Sequence, residues 1–503
     1  MYEAGGWVLV ESAIADVPAD LRWLFESGAV TLEQLAALHR AVGATSAADL
    51  AAALDEGKLR ELAELPAAVE TQISLALPTL RRTLPRIPLG RAIAMADPFL
   101  ERLRSFPGVE WARPVGSLRR GQDTVGDIEV LSAATRATDA IADLVQLPQV
   151  TRCLHRSERR VYVLVDHTQI GARFVDPDRG GGPLLHLTGS ANHFEALRAR
   201  ASALGMTLTS DGLLVDNALK KSATEEDIYA ALELPPIPPE IREDGGEVAR
   251  AAAGTLPLLV SRRDIRGDLH MHSTWSDGRD SIAAMVETCV ALGYEYCAIT
   301  DHSPSSAASR NLSVDGVRRQ AEEIAQVRQR YPAITVLHGC EVDILPDGRL
   351  DFPDRILEGF DIVLASLHDR AGHAPDRLMK RYADAMGHPL VSVITHPTNR
   401  VIPNRRGYEL NYDELFDLAI QTKTIVEIDG APAHLDLDGP LARRAAAAGA
   451  MLAIDSDCHR AEMLDRQMAL GVATARRGWV EARQVVNTRS IDEVRAVIAG
   501  KRT

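Results

Sequence analysis

Residues 268–278 read DLHMHSTWSDG, and the H-x-H within that stretch is the key to the second half of the chain. Along an extended strand alternate side chains share a face, so His270 and His272 turn both imidazoles to one side and can share a metal. The same theme repeats from Gly267 onward. Strand-like runs DLHMHS, YCAITDH, ITVLHGCEVDI, DIVLASLHD, LVSVITHP, TIVEIDGAP and MLAIDSDCH alternate with helical stretches such as SIAAMVETCVALG and VDGVRRQAEEIAQVRQRY. Such a series predicts a closed or nearly closed barrel of mostly parallel strands, whose chemistry gathers at the C-terminal strand ends.

The polar residues fall at those ends. Of the fifteen histidines ten lie in this half, and His270, His272, His302, His368, His396 and His459 each sit at a strand end. Asp277, Glu341 and Asp457 occupy comparable places. One histidine at a strand end is an ordinary polar residue, but a run of them at successive ends is not coincidence. Imidazole plus carboxylate, with no set of thiolates, suits Mn, Zn or Fe better than a structural Cys-type zinc site. His338, His373, His388 and His434 lack that placement and are read as structural. Cys458, between two candidate ligands on a strand, should face the opposite way.

The motifs DLHMHSTWSDG, AITDHS, GCEVDIL, ASLH, ITHPT, VEIDGAPAHLDL and DSDCH stand in one order. In that order they closely resemble the polymerase-and-histidinol-phosphatase (PHP) domain, over residues 266–460. The resemblance implies a distorted (β/α)7 barrel holding three divalent metal ions. It implies as their ligands His270, His272, Asp277, His302, Glu341, His368, His396, Asp457 and His459. Asp301, in the TDH motif, is then expected to orient the site rather than bind metal. Clustered divalent cations acidify water and clamp phosphate oxygens, the chemistry of phosphoester hydrolysis. Arg310, Arg400, Arg405 and Arg406 lie in loops after strands and are candidate phosphate clamps, though a solvated arginine is an equally good reading of each.

The front half reads differently. Residues 1–85 carry short helical patterns, among them TLEQLAALHRAVG and KLRELAEL. Residues 86–240 turn to a mixed α/β pattern, with strands VEWARPVGS and DIEVLSA and a pairing of RRVYVLVDH with QIGARFVDP. Within GSLRRGQDTVGDIEVL (116–131) a Gly-Ser turn before a helical start can cradle a nucleotide phosphate. Asp127 and Glu129, spaced D-x-E on a strand, face the same side and could share Mg²⁺. This segment resembles the nucleotidyltransferase palm of the family X DNA polymerases, whose bacterial members carry a C-terminal PHP domain. LTGSANHFEALR and EEDIYAALELPPIPPEIRE resemble the stretches after that palm, so the likeness runs from about residue 20 to 500. Gly116, Ser117 and Arg120 are the candidate substrate-binding residues in this half, with Arg400 and Arg405 in the barrel half.

Departures from the family pattern bear on activity. The family uses a third palm carboxylate, and Ala172 of QIGARFVDP is aligned with it; Asp166 and Asp176 would each need a register change. Glu129 stands where the family has Asp, and His186-Leu187 where it has an aromatic pair. FESGAVTLEQ and LAELPAAVET lack the G-x-G turns by which helical hairpins approach DNA phosphates. The palm carboxylates are therefore read as vestigial.

Composition sets the bounds. A net charge of −14 counts mildly against nonspecific DNA binding by the whole molecule, without excluding a local groove. Scattered cysteines and the lack of a secretory pattern point to a reduced, cytoplasmic protein, and no apolar run long enough for a membrane partner is present. The expectation is a multidomain α/β protein: helical region 1–85, palm and thumb 86–240, linker 241–265 and PHP barrel 266–503. The activity expected is a metal-dependent 3′–5′ exonuclease or 3′-end processing of DNA in repair. Two alternatives are gap-filling synthesis through Asp127 and Glu129, and a phosphatase acting on a small phosphate ester.

Overall fold

The computed structural model describes residues 19–42, 50, 53–54, 58–59, 66–83, 86–166, 168–306, 308–368 and 374–502. They form two compact units that divide between Pro236 and Ile237, with residues 88–90 and 120–123 counted in the second.

The first unit opens with helices α1 (Ala19–Glu26), α2 (Leu32–Val42) and α3 (Ala67–Thr83). Gly28, at φ +75°, turns the chain after α1. Thr31 and Gln34 then cap α2 reciprocally, the Gln34 N–H donating to Thr31 Oγ1 (3.2 Å) and the Thr31 N–H to Gln34 Oε1 (2.8 Å). Leu24, Leu38, Leu50 and Ile73 bury a small core there. FESGAVTLEQ is thus a helical hairpin, whereas most of SAADLAAALDEG and KLRELAEL lies outside the described residues.

After α4 (Leu89–Ser105) comes a sheet of β1 (Val109–Pro114), β2 (Ile128–Ala134), β3 (Arg152–Arg156), β4 (Arg160–Val165) and β5 (Thr168–Val175), in the order β1-β2-β5-β4-β3. β5 pairs antiparallel with β4, joining RRVYVLVDH to QIGARFVDP, and parallel with β2. VEWARPVGS does not continue as one strand: it ends at Pro114, and Gly116–Arg119 forms the short helix α5. Helices α6 (Gly181–Thr188), α7 (Ala191–Ala203) and α8 (Glu225–Ala231) complete the unit with a small hairpin sheet.

The second unit is a barrel of seven strands in sequence order, each neighbouring pair parallel. They are β6 (Gly267–Asp268), β7 (Tyr296–Ile299), β8 (Thr335–Asp343), β9 (Ile362–Ser366), β10 (Val393–Ile394), β11 (Ile425–Asp429) and β12 (Leu452–Asp455). The ends meet: Met271 bridges Cys458, the His272 N–H donates to Cys458 O (2.9 Å), and the Leu269 N–H donates to Asp455 Oδ1 (2.8 Å). Side-chain caps start the helices between strands. Ser281 accepts from the Ala284 N–H ahead of α9 (Ile282–Ala291), and Ser313 from the Gly316 N–H ahead of α10 (Val314–Arg330). The stretch 241–265, expected as a linker, folds within this unit; it carries a short helix, Glu247–Ala252, and the Val260 N–H donates to Val480 O (2.8 Å).

Alternation along the strands builds the site. Val336, Cys340 and Val342 of β8 pack outward against the helices, as do Val426 and Ile428 of β11. The opposite faces line the barrel interior. Near the strand starts that interior is apolar, with Tyr296, Leu337, Ile362, Val393, Ile425 and Ala453, closed by Val494 and Ile498 of the C-terminal helix. Two to four residues further along, the same faces carry Thr300, Glu341, Ser366, Thr395, Glu427 and Asp455, all buried. Each strand crosses from a dry core to a polar mouth.

Candidate metal centre

Three overlapping groups of donor atoms sit in that mouth: His270, His272 and Asp457; His272, Asp277, His302 and His459; and His302, Glu341 and His368. Within each group the nearest ligand atoms lie within 4.8 Å of one another. His272 Nε2 lies 3.0 Å from Asp457 Oδ1, and His459 Nε2 lies 3.3 Å from Asp277 Oδ1. The His272 ring stacks on those of His302 and His459, each at 4.3 Å between centroids. His396 joins through its Nε2, 2.9 Å from Glu341 Oε1.

Glu341 is the hub. Its Oε2 is surrounded by His302 Nδ1 (2.8 Å), His270 Nε2 (3.5 Å) and His272 Nε2 (3.6 Å), yet it makes no hydrogen bond to any of them. A fully buried carboxylate oxygen among imidazole nitrogens, none aligned to share a proton with it, is a set of lone pairs directed at a common centre. Such donors fit divalent metal ions. Backbone strain accompanies them: His396 (φ 25°) and Asp457 (φ 49°) occupy the left-handed region that non-glycine residues seldom adopt. The turn carrying Asp277 is equally tight, because a Cβ on Gly278 would sit 2.6 Å from the His272 backbone.

Behind the donors lies a layer of hydrogen bonds, of which only Asp301 was expected. Its carboxylate accepts from the Ser273 N–H (2.8 Å), the Ser276 N–H (3.1 Å) and Gln320 Nε2 (2.6 Å), fixing the chain between His272 and Asp277. Gln320 in turn accepts from His338 Nε2 (3.0 Å), which gives that histidine a supporting place rather than a ligand's. Glu427 and Asp343 were missed. Glu427 Oε1 is 2.6 Å from His270 Nδ1 and its Oε2 accepts the His396 N–H (2.7 Å), while Asp343 Oδ1 is 2.5 Å from His368 Nδ1. Partners of this kind fix a ring's tautomer and leave its other nitrogen for metal. Spacing offered one hint, since Asp343 shares a strand face with Glu341.

The electrostatics are those of interlocked acids and bases. Burial disfavours a charge on His368, but Glu341 and Asp343 outweigh it and raise its pKa to about 10. His459 is raised to about 9, burial again being overcome by Asp277 and Asp457. His272 goes the other way, to about 3, through burial and the neighbouring His302 and His459. The Glu341 and Asp457 carboxyls, despite burial, are held well below the usual range by the surrounding imidazoles.

The remaining candidates are spread out. Arg400 donates to Asp123 (2.7 Å) and to the His434 and Leu435 carbonyls, and Arg405 donates to Asn399 O (3.0 Å) and Oδ1 (2.6 Å). Arg310 and Arg406 are exposed. His434 stacks on His396 at 5.8 Å, a placement its sequence context did not signal, and His388 lies 3.3 Å from Asp354. His373 falls outside the described residues. Cys458 is buried, its Sγ donating to Arg460 O (2.8 Å).

In the first unit, Gly116 at φ +60° starts α5 with Ser117 after it; Arg120, counted in the second unit, pairs there with Glu243 at 2.5 Å. Arg119, not singled out by sequence, forms a bidentate pair with the buried Glu225 (2.9 and 2.7 Å). Asp127 precedes β2 and is exposed, whereas Glu129 on the strand is buried. The alignment of Ala172 with a third carboxylate is corrected by the sheet register. Gly171 pairs with Glu129, and Ala172 pairs with Val130 on the other face.

Comparison with known proteins agrees with this geometry. Residues 183–243 match the DNA polymerase beta thumb, and residues 268–430 match the PHP domain. A Bacillus subtilis protein named DNA polymerase/3′-5′ exonuclease PolX is 35% identical over 97% of this chain and 86% of its own length. A probable phosphatase of Caldanaerobacter subterraneus is 26% identical over 38% of this chain and 75% of its own length. A probable phosphatase of Syntrophotalea carbinolica is 27% identical over 33% of this chain and 65% of its own.

Proposed function

The chain belongs to the PolX family of enzymes acting on phosphoester bonds, and from that premise we propose that its barrel is a metal-dependent 3′–5′ exonuclease or 3′-end processing centre for DNA. The palm and thumb serve as a DNA-holding scaffold with an impaired polymerase site, in a cytoplasmic protein. The observation that carries this reading is the Glu341 carboxylate, buried among imidazoles without a hydrogen bond on Oε2, in one of three donor groups that overlap through His272 and His302.

His270, His272, Asp277, His302, Glu341, His368, His396, Asp457 and His459 would hold three divalent ions, drawn from Mn, Zn and Fe. Bound there, such ions supply Lewis acidity and neutralise phosphate charge. The protein's own part is to keep the donors in place. Asp301 pins the segment bearing His272 and Asp277, and Glu427 and Asp343 orient His270 and His368. Arg310 and Arg406, exposed on loops after strands, are the side chains here proposed to meet the DNA phosphates; Arg400 and Arg405 support the loop from which Arg406 projects.

The test is release of mononucleotides from 3′-labelled single-stranded and gapped DNA with Mn²⁺. His270→Ala and Asp457→Ala should abolish it, and undiminished release in either variant would remove the assignment. A second reading is favoured by the relatives named probable phosphatases, each matching over 33–38% of this chain. Equal or faster hydrolysis of a small aryl phosphate than of a DNA 3′ end would make that reading the better one.

A further inference from the structure

The family to which the chain belongs implies a divalent metal between palm carboxylates, and the residues present do not fit one. Glu129 on β2, Gly171 on β5 and Tyr162 on β4 stand abreast, paired in the parallel and antiparallel ladders respectively. Residues paired across a sheet project to the same face, so the position of β5 directly abreast of Glu129, where a third carboxylate would stand, is 171. Gly171 offers none, and there is no room for one. A Cβ there would lie 2.6 Å from Tyr162 Cε1 and 3.1 Å from Glu129 Cγ.

The tyrosine ring fills that space and its hydroxyl is tied to the carboxylate. Tyr162, 1% exposed, donates to Glu129 Oε1 at 2.6 Å. Arg173, next along the same face of β5, places Nε 3.3 and 3.2 Å from the two Glu129 oxygens and Nη2 3.0 Å from Oε1. Nη2 also reaches the Tyr162 hydroxyl at 3.0 Å. Both oxygens of Glu129 thus already have a cationic partner, and a divalent ion beside them would face a guanidinium a few ångströms away.

We infer that the palm of this chain is closed to catalytic metal, its carboxylate pocket occupied by Tyr162 seated over Gly171 and by Arg173, so that phosphoester chemistry is confined to the barrel. This deepens the reading of the palm as a scaffold and rests on it, but the measurement is independent of DNA hydrolysis.

In the full chain, Mn²⁺ stoichiometry is counted by equilibrium dialysis and electron paramagnetic resonance for wild type and for Asp127→Asn/Glu129→Gln. The two should bind the same number of ions; loss of one or more in the variant overturns the inference. Gly171→Asp/Tyr162→Ala supplies a third carboxylate and vacates its space, so it should gain at least one ion. A folded variant that gains none overturns the assignment of Gly171 and Tyr162 as the cause. Should that variant not fold, the first comparison decides alone. Failure of the barrel reading would show instead as DNA hydrolysis that survives His270→Ala.

Discussion

Glu427→Gln isolates what the layer behind the donors contributes. The wild-type carboxylate uses one oxygen on His270 Nδ1 (2.6 Å) and the other on the His396 N–H (2.7 Å), and it is fully buried. Glutamine keeps the size but has one acceptor. With its oxygen on His270, its amide group faces the His396 N–H donor to donor; flipped, it leaves the His270 Nδ1–H unpaired. Either way a buried donor loses its partner, at a cost of about 1–3 kcal/mol. The ring or loop so released is a candidate ligand, and loss of such an orienting partner weakens metal binding by about 10–100-fold, or ~1.4–2.8 kcal/mol. Competition against a chelator of known affinity measures the change. Mn²⁺-dependent DNA hydrolysis should recover most of the way as metal is raised, because the donors themselves remain. An affinity within about twofold of wild type would refute the reasoning.

Metal loading should release protons. His368 and His459, raised to about 10 and about 9, are charged at neutral pH in the metal-free protein and must become neutral to bind. Apparent metal affinity should therefore rise with pH up to that range, while the imidazoliums' contribution to metal-free stability, complete below about 6.5, is lost as pH climbs through 9 to 10. A weakly buffered calorimetric titration that shows no proton release contradicts this. Asp301→Ala removes the acceptor of the Ser273 and Ser276 N–H groups and of Gln320, so metal-free protein should lose several kcal/mol, at about 1–3 kcal/mol per buried donor left unpaired. A thermal midpoint equal to that of wild type would argue that water replaces the carboxylate without loss.

Read alone, the chain disclosed what is local and periodic. The alternation of DLHMHS, ITVLHGCEVDI and their counterparts located the strands, and polar residues clustered at their ends named the candidate donors, because which face a side chain takes depends on its own strand. The β4–β5 hairpin was legible for the same reason. What the chain could not disclose were relations between strands distant in sequence. Glu427 and Asp343 read as ordinary strand acids until closure of the barrel set them against His270 and His368. Arg400 reads as a free loop cation until the fold brings Asp123 and two carbonyls to its guanidinium. Ala172 was aligned with a third carboxylate until the β2–β5 register set Gly171 opposite Glu129, and a shift of one residue exchanges the faces of a sheet. Periodicity decides which side of a strand a residue takes; only closure and register, which join residues far apart in the chain, decide what it meets there.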